Sequence, residues 1–181
     1  MKKITPELFK EKFDEVIKLQ HISPRISTEW NNWKVYTGII LGEVVPLIAE
    51  KLGLSSYNKD YYWLDAVIYE ELDEVHFKNG TTYAKYIAVA IEHENDSKST
   101  VVEMNKLQIY NSPLKVLITY PGHEDKIDNL LSMYTRIMES SDVFSDFSSH
   151  RKQLVIFGIK SKDDKVDWIY YVYEGSRFIR F

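Results

Sequence analysis

Apolar residues recur at helical spacing in the N-terminal part of the chain. Thr5-Pro6-Glu7 is typical of a helix start, because it combines a capping residue, a proline at the first helical position and an acid. The apolar positions that follow at helical spacing are Leu8, Phe9, Phe13, Val16 and Ile17. A second helix is predicted over residues 32–54, with Pro46 expected to kink it and Gly53 to stop it. Residues 21–30 (HISPRISTEW), which lie before it, predict a loop.

The middle of the chain carries strand patterns. Residues 61–72 (YYWLDAVIYEEL) are aromatic and β-branched, which predicts a strand. An Asn-Gly turn signal follows at Asn79 and Gly80. Residues 84–95 (AKYIAVAIEHEN) predict the next strand. Its apolar residues on both faces favour a central strand covered by helices on both sides.

A helix and a further strand come next. Thr100 and Glu103 match a capping box, which predicts a helix from Thr100 to about Tyr110, ended by Ser112-Pro113. Residues 114–120 (LKVLITY) predict another buried strand. This strand–helix–strand order predicts a right-handed crossover between two parallel strands.

The C-terminal part adds one more helix and further strands. The helix is indicated by a stripe of apolar positions at Ile127, Leu130, Leu131, Tyr134, Ile137 and Met138. Strand patterns cover residues 153–160, 166–174 and 177–181. The predicted fold class is therefore α/β, a mixed sheet with helices packed on its faces. The 181 residues predict a single domain over residues 1–181.

Composition narrows the function classes. The net charge of −4 lacks the strong positive field that usually marks a nucleic-acid-binding protein, although bound metal ions would change the local charge. The absence of cysteine excludes disulfides, thiolate zinc sites and cysteine nucleophiles. The first residues (MKKITPELFKEKF) lack the apolar stretch of a signal peptide, and runs such as YIAVAI are too short to cross a bilayer. We therefore expect a cytoplasmic protein with no membrane partner.

Candidate chemistry lies where the strand over residues 84–95 ends in Glu92-His93-Glu94-Asn95. Because side chains alternate along a strand, Glu92 and Glu94 point to one face, with Cβ atoms roughly 6.5–7 Å apart, and His93 points to the other. Asp65 interrupts a second apolar and aromatic strand. Carboxylates in such positions need a partner that stabilises their charge. This partner can be a divalent metal, a nearby Lys or Arg, or solvent. Oxygen-only ligation suits Mg²⁺.

These residues resemble the core of the PD-(D/E)XK nucleases, the restriction-endonuclease-like superfamily. That core has an Asp in one strand, Glu-x-Lys or a variant at the end of the next, then a helix and another buried strand. Here the motif is Asp65 followed by Glu92-His93-Glu94, with Glu94 where most members have Lys, as in a minority of restriction enzymes. The resemblance covers roughly residues 33–120, with an N-terminal helix and C-terminal helix and strands added. It implies a three-layer core, a mixed sheet flanked by helices.

The resemblance also implies metal-dependent hydrolysis of phosphodiester bonds in DNA or RNA. Asp65 and Glu92 would hold one or two Mg²⁺ or Mn²⁺ ions. Glu43, in the helix before the Asp strand, would be the auxiliary acid that members often place there. Glu94 would orient or deprotonate the attacking water, or Lys106 on the following helix would do so, as some members supply the lysine from that helix.

Each candidate also has a structural interpretation. Glu92 and Glu94 can mark where the strand reaches solvent. Glu103 is explained by the capping box, and Lys106 by an ion pair with Glu103 on the helix surface. His93, on the face opposite the acids, is predicted to pack or to form hydrogen bonds.

Two further functions stay open on the sequence. One is a nuclease-fold protein that has lost catalysis and serves as a binding or assembly module, which the missing motif lysine and the acidic net charge support. The other is a small α/β protein whose acids are only surface residues. The sequence leaves the oligomeric state open, a homodimer included.

Overall fold

The computed structural model describes residues 3–71, 74–76, 78, 82–141 and 151–181, and these form both helices and strands. The helices are α1 (Pro6–Ile17), α2 (Ser23–Thr28), α3 (Trp33–Ile39), α4 (Val45–Leu52), α5 (Thr100–Ile109) and α6 (Ile127–Ser141). The strands are β1 (Ser55–Tyr57), β2 (Ala66–Tyr69), β3 (Glu74–His76), β4 (Thr82–Ala84), β5 (Val89–Glu94), β6 (Leu114–Thr119), β7 (Lys152–Lys160), β8 (Val166–Tyr173) and β9 (Phe178–Arg180). A π-helical turn (Ile40–Val44) joins α3 to α4, and a 3₁₀ turn (Glu124–Lys126) precedes α6.

Seven of these strands form one mixed sheet in the order β1-β2-β5-β6-β7-β8-β9. The central strands β5, β6 and β7 are parallel, and every other neighbouring pair is antiparallel. The predicted parallel pairing across the crossover helix is therefore confirmed, with Glu92 of β5 beside Leu117 of β6. Strands β3 and β4 pair separately, and the predicted Asn79-Gly80 turn between them lies outside the described residues.

Helices cover both faces of the sheet. One apolar core contains Phe13 of α1, Tyr36 of α3 and Ile48 of α4, packed against strand residues such as Ile91. The other contains residues of α5 and α6 packed against alternate strand residues such as Ala90. Because successive strand residues enter opposite cores, the central strands need apolar side chains on both faces. The α/β fold class with a mixed sheet between helices is confirmed. Within the described part of the chain, no helix has the length and apolar character to cross a membrane.

The N-terminal helices follow the sequence signals with one exception. Thr5 caps α1, since its hydroxyl accepts a hydrogen bond from the Leu8 N–H at 3.2 Å. The irregularity expected at Pro46 lies in the π-helical turn just before it, and Gly53, with φ of 67°, ends α4. The predicted loop over residues 21–30 is wrong in part, because α2 forms there. Its proline stands in the first helical turn, where no N–H is needed, and Ile26 enters the core.

The strand predicted over residues 61–72 is also shorter than expected, because only Ala66–Tyr69 is extended. Tyr61 and Leu64 exchange two backbone hydrogen bonds, of 2.8 and 3.0 Å, and so close a tight turn. Within this turn Tyr62 and Trp63 adopt left-handed backbone conformations, with φ of 48° and 72°. Such conformations cannot belong to a strand, so β-propensity was overridden by turn geometry.

The capping box predicted at the start of α5 is absent. The N-cap is Ser99, without a side-chain capping bond, and Thr100 is the first helical residue. The Thr100 hydroxyl donates to the Ser97 carbonyl and accepts from the Tyr134 hydroxyl of α6. The hydroxyl therefore ties α5 to α6, and Glu103 is left available for another partner.

Gly158 in β7 provides a test of how closely aromatic rings pack against the sheet. A Cβ at this position would stand 2.7 Å from the Tyr120 ring and 3.0 Å from the Trp168 ring. We expect Gly158→Ala to lower the free energy of unfolding by about 1–3 kcal/mol, measured by urea denaturation, because a packed ring must move. The matched control is Gly38→Ala in α3, where a Cβ meets nothing within 4 Å. It should be neutral or stabilise by up to about 1 kcal/mol, since alanine favours helix. Equal stability of the two variants would contradict this packing.

Candidate active site

Asp65 and Glu92 lie side by side at one end of the sheet. Strands β2 and β5 are antiparallel with Ala66 opposite Ile91, so the next position in register places Asp65 opposite Glu92. The backbone N–H of His93 donates a hydrogen bond to Asp65 Oδ2 at 2.8 Å. Glu92 is completely buried. The two predicted acids are therefore brought together, as the resemblance requires.

Lys106 reaches this pair from the helix that crosses above it. Helix α5 follows β5 and packs on the same face as Glu92. Lys106 Nζ lies 2.8 Å from Glu92 Oε2 and 2.5 Å from Glu103 Oε2. Both contacts are ion pairs by distance, and neither Glu92 Oε2 nor Glu103 Oε2 accepts a hydrogen bond from a described residue. Asp65, Glu92, Glu103 and Lys106 thus form one cluster of charges, which we call the acid–lysine cluster.

Burial sets the protonation of this cluster. Burial raises the pKa of Glu92 to about 10, since the contact with Lys106 only partly offsets it and the Asp65 charge adds to it. Burial also raises the pKa of Asp65, against the hydrogen bond from His93. Burial works to lower the pKa of Lys106, but the contacts with Glu103 and then Glu92 outweigh it, and the net shift is upward. Glu103, the closer partner, therefore keeps Lys106 charged, while burial disfavours the charge on Glu92.

Two other predicted site residues lie apart from the cluster. One oxygen of the Glu94 carboxylate accepts a hydrogen bond from the Asp96 N–H at 2.8 Å. Among the described residues, no hydrogen bond or ion pair joins Glu94 to the acid–lysine cluster. Glu43 sits in the π-helical turn, in the helical layer on the other face of the sheet. There it binds Arg25 through two contacts of 2.6 and 2.8 Å. The predicted roles of Glu94 and Glu43 stay predictions, and the fold gives each a structural partner.

The donor atoms of the cluster suit a hard divalent cation. Mg²⁺ is usually bound through one or two carboxylates and keeps several waters. Asp65 and Glu92 supply two carboxylates, and Glu92 Oε1 has no hydrogen-bond donor among the described residues. No group of three or more His, Asp or Glu side chains in the described ranges is arranged to hold a metal ion. These residues therefore fit a two-carboxylate site that water and substrate would complete.

His93 lies on the opposite face from the two acids of its strand, as the alternation predicted. Its ring stacks near Tyr36, and Nε2 is 2.8 Å from the Tyr120 hydroxyl. Burial lowers the pKa of His93 to about 3, so the ring is neutral at physiological pH. His93 therefore supports the site from two sides, with its backbone bound to Asp65 and its ring packed in the first apolar core.

The sequence analysis gave Glu103 only a structural part and missed one buried charged residue altogether. The predicted ion pair between Glu103 and Lys106 is confirmed, but the position of this pair beside Glu92 was not predicted. Lys115 was overlooked within an apolar strand, although one charge in such a strand is the same signal that drew attention to Asp65. Lys115 is completely buried and donates a hydrogen bond to Gln108 Oε1 at 3.1 Å. Burial, with a smaller effect from Arg151, lowers its pKa to about 7.

The sequence matches no protein-family model and no curated protein. The function of the acid–lysine cluster therefore has to be argued from its own geometry and chemistry.

Proposed function

We propose that this protein is a metal-dependent nuclease that hydrolyses phosphodiester bonds, with a PD-(D/E)XK-like site at Asp65, Glu92 and Lys106. The observation that supports it best is that Asp65 stands opposite Glu92 in register while Lys106 Nζ lies 2.8 Å from Glu92. Two neighbouring carboxylates, of which Glu92 is completely buried, beside one lysine are the components that the resemblance requires. The order of α4, β1, β2, β5, α5 and β6 around them also agrees with the helix–strand order of that superfamily.

In this proposal the lysine of the motif comes from helix α5. Lys106 contacts Glu92, whereas Glu94 is bound to the Asp96 backbone and has no described link to the cluster. A helix that returns over its own strand brings its second turn above the strand end, so a lysine can serve the site from either element. Lys106 is therefore a better candidate than Glu94 for contacting the attacking water.

Each residue has a distinct part in the proposed hydrolysis. A divalent metal held by Asp65 and Glu92 would polarise the phosphate and lower the pKa of a bound water. Lys106, kept charged by Glu103, would donate a hydrogen bond to the attacking water or to a phosphate oxygen, where negative charge grows. The water oxygen forms the new bond to phosphorus as the ester bond breaks. One water proton leaves to solvent, and the departing oxygen takes a proton from solvent.

The Asp65→Asn variant tests the proposal. Wild-type protein should cleave DNA or RNA with Mg²⁺ or Mn²⁺, and these ions should raise its melting temperature, because a ligand that binds only the folded state stabilises it. Without metal, Asp65→Asn should melt at the same or a higher temperature, since it removes one of three neighbouring carboxylates. It should lose both the metal-induced shift and the cleavage, which thermal melts and gel assays with and without EDTA measure.

Two results would count against the proposal. An equal metal-induced shift in wild type and Asp65→Asn would reject the metal site. If the wild type binds nucleic acid but cleaves nothing across several metals and substrates, the catalytically inactive binding or assembly module becomes the better conclusion.

A further inference from the structure

A cavity of about 740 Å³ opens at the turn that leads into Asp65. Six aromatic side chains line much of it: Tyr57, Tyr61, Tyr62, Trp63, Tyr69 and Tyr83. Three of them form a chain of edge-to-face contacts, with ring centroids 5.9 Å apart for Tyr57 and Tyr61 and 5.0 Å apart for Tyr61 and Tyr62. This cavity, which we call the aromatic cavity, takes no part in the hydrolysis proposed above.

The turn presents its aromatic side chains to solvent under strain. Tyr62 is 64% exposed and Trp63 is 79% exposed, the largest exposure among the exposed apolar side chains of the described chain. Both adopt left-handed backbone conformations, which bulky residues rarely do and which cost on the order of 1–3 kcal/mol each. A different conformation of the turn would bury the two rings and relieve the strain in their backbones, so both effects oppose the conformation observed. A turn that instead holds two large rings outward suits the binding of a planar partner.

The turn is connected to the acid–lysine cluster at both ends. Asp65 follows Leu64 directly, and the Tyr110 hydroxyl donates a hydrogen bond to the Tyr62 carbonyl. Tyr110 stands one helical turn after Lys106, at the end of α5. A group bound in the aromatic cavity therefore lies next to the strand and the helix that carry the proposed catalytic groups.

The chemistry of the lining selects a base and repels its phosphate. Aromatic faces stack on nucleobases of any sequence. The cavity also contains the carboxylates of Asp60 and Glu74, which can accept hydrogen bonds from amino and imino groups of a base but repel an anion. Its described lining residues include no lysine or arginine. Lys59 and Lys85 are exposed and lie next in sequence to the lining residues Asp60 and Ala84.

We infer that the aromatic cavity binds an unpaired nucleobase and that the substrate of this protein is single-stranded nucleic acid. A paired base presents only its edges, because its faces are covered by neighbouring bases in the duplex. Only an unpaired base can insert between Tyr62, Trp63 and the rings behind them. The inference rests on the proposed nuclease function for its biological meaning, but binding can be tested without cleavage.

The test measures binding in the cleavage-deficient Asp65→Asn protein with EDTA present. Fluorescence anisotropy of a labelled single-stranded oligonucleotide is compared with that of its duplex. We expect the single strand to bind more tightly, and Trp63→Ala or Tyr62→Ala to weaken that binding about tenfold or more. The matched control is Trp33→Ala, which removes a tryptophan that is 61% exposed but lies on the helical layer of the other face. It should leave binding unchanged, and thermal melts should show that all three variants fold.

The inference is wrong if the duplex binds as tightly as the single strand, or if Trp33→Ala weakens binding as much as Trp63→Ala. Trp63 fluorescence also reports whether tetramethylammonium binds in the cavity. If this cation binds and oligonucleotides do not, the inference is wrong, because the cavity then binds an organic cation. Trp63-dependent binding without any cleavage by the wild type would support this inference and reject the nuclease. Cleavage that is unaffected by Trp63→Ala would reject this inference and leave the nuclease standing.

Discussion

Glu92→Gln is expected to abolish metal-dependent cleavage and to make the folded chain more stable. Mutation of a residue that only hydrogen-bonds to a metal ligand typically lowers activity about 10–100-fold. Loss of a proposed ligand itself should therefore lower cleavage by on the order of 10³-fold or more. The stability gain follows from burial, because Glu92 is fully buried and neither of its carboxylate oxygens has a hydrogen bond from a described residue. At pH 8 the folded wild type must keep a proton on Glu92 that the unfolded chain releases, and a neutral amide avoids this cost. We expect the substitution to add about 1–3 kcal/mol to the free energy of unfolding at pH 8. Lys106 keeps its 2.5 Å contact with Glu103, so no buried charge is left alone.

The stability gain should depend on pH with a definite sign. Unfolded Glu92 ionises near its ordinary pKa of 4.5, while the folded group keeps its proton until about pH 10. Between these values the unfolded wild type binds fewer protons than the folded one, so wild-type stability falls as pH rises. Glutamine does not titrate, and the advantage of Glu92→Gln should therefore be small at pH 5 and grow towards pH 9.

Urea denaturation at pH 5, 7 and 9 measures this effect, with Glu124→Gln as control. Glu124 forms an exposed ion pair with Arg180, and its variant should stay within about 0.5 kcal/mol of the wild type at every pH. A Glu92→Gln protein that is destabilised at pH 9 would mean that the ion pair with Lys106 outweighs burial. Unchanged cleavage would remove Glu92 from the site.

Lys106→Met should lower cleavage by on the order of 10²-fold or more, whereas Glu94→Gln should change it only a few-fold. The loss expected for Lys106 is that of a charged donor aimed at developing negative charge. Glu94→Gln keeps an oxygen that can accept from the Asp96 N–H and alters no contact of the acid–lysine cluster. Initial rates of Mg²⁺-dependent cleavage of a single-stranded and a plasmid substrate measure both variants.

Lys98→Met serves as the control for Lys106, because it removes an exposed lysine just before the same helix. It should cleave as the wild type does. Lys106→Arg should recover part of the activity if a positive donor is what the reaction needs. If Glu94→Gln abolishes cleavage and Lys106→Met is harmless, the acid in the motif position performs the role and the assignment to the helix is wrong.

Much of the fold followed from local patterns. The helices α1 and α6 were predicted because their apolar residues recur at helical spacing, and the strands β5 and β6 because short apolar runs suit strands that are covered on both faces. The resemblance, rather than a local pattern, implied that Asp65 and Glu92 lie together, and the register of β2 and β5 places them opposite each other. The failures lie where local signals conflicted with geometry. Aromatic residues at 61–64 predicted a strand, but the turn places Tyr62 and Trp63 in left-handed conformations that no propensity indicated.

The sequence by itself determined the α/β class, the parallel crossover and the face on which Glu92 projects, because alternation along a strand and periodicity along a helix are local properties. Only the tertiary structure decided which groups meet Glu92. Lys106 and Glu94 are both close to Glu92 along the chain, yet Lys106 contacts it because α5 returns over β5, while Glu94 is held by the Asp96 backbone. The Arg25 partner of Glu43 was settled in the same way, whereas the pair of Glu103 with Lys106 lies within one helix and was predicted from its spacing. A contact between elements depends on how they pack across the sheet, and that depends on the whole core rather than on the residues in contact.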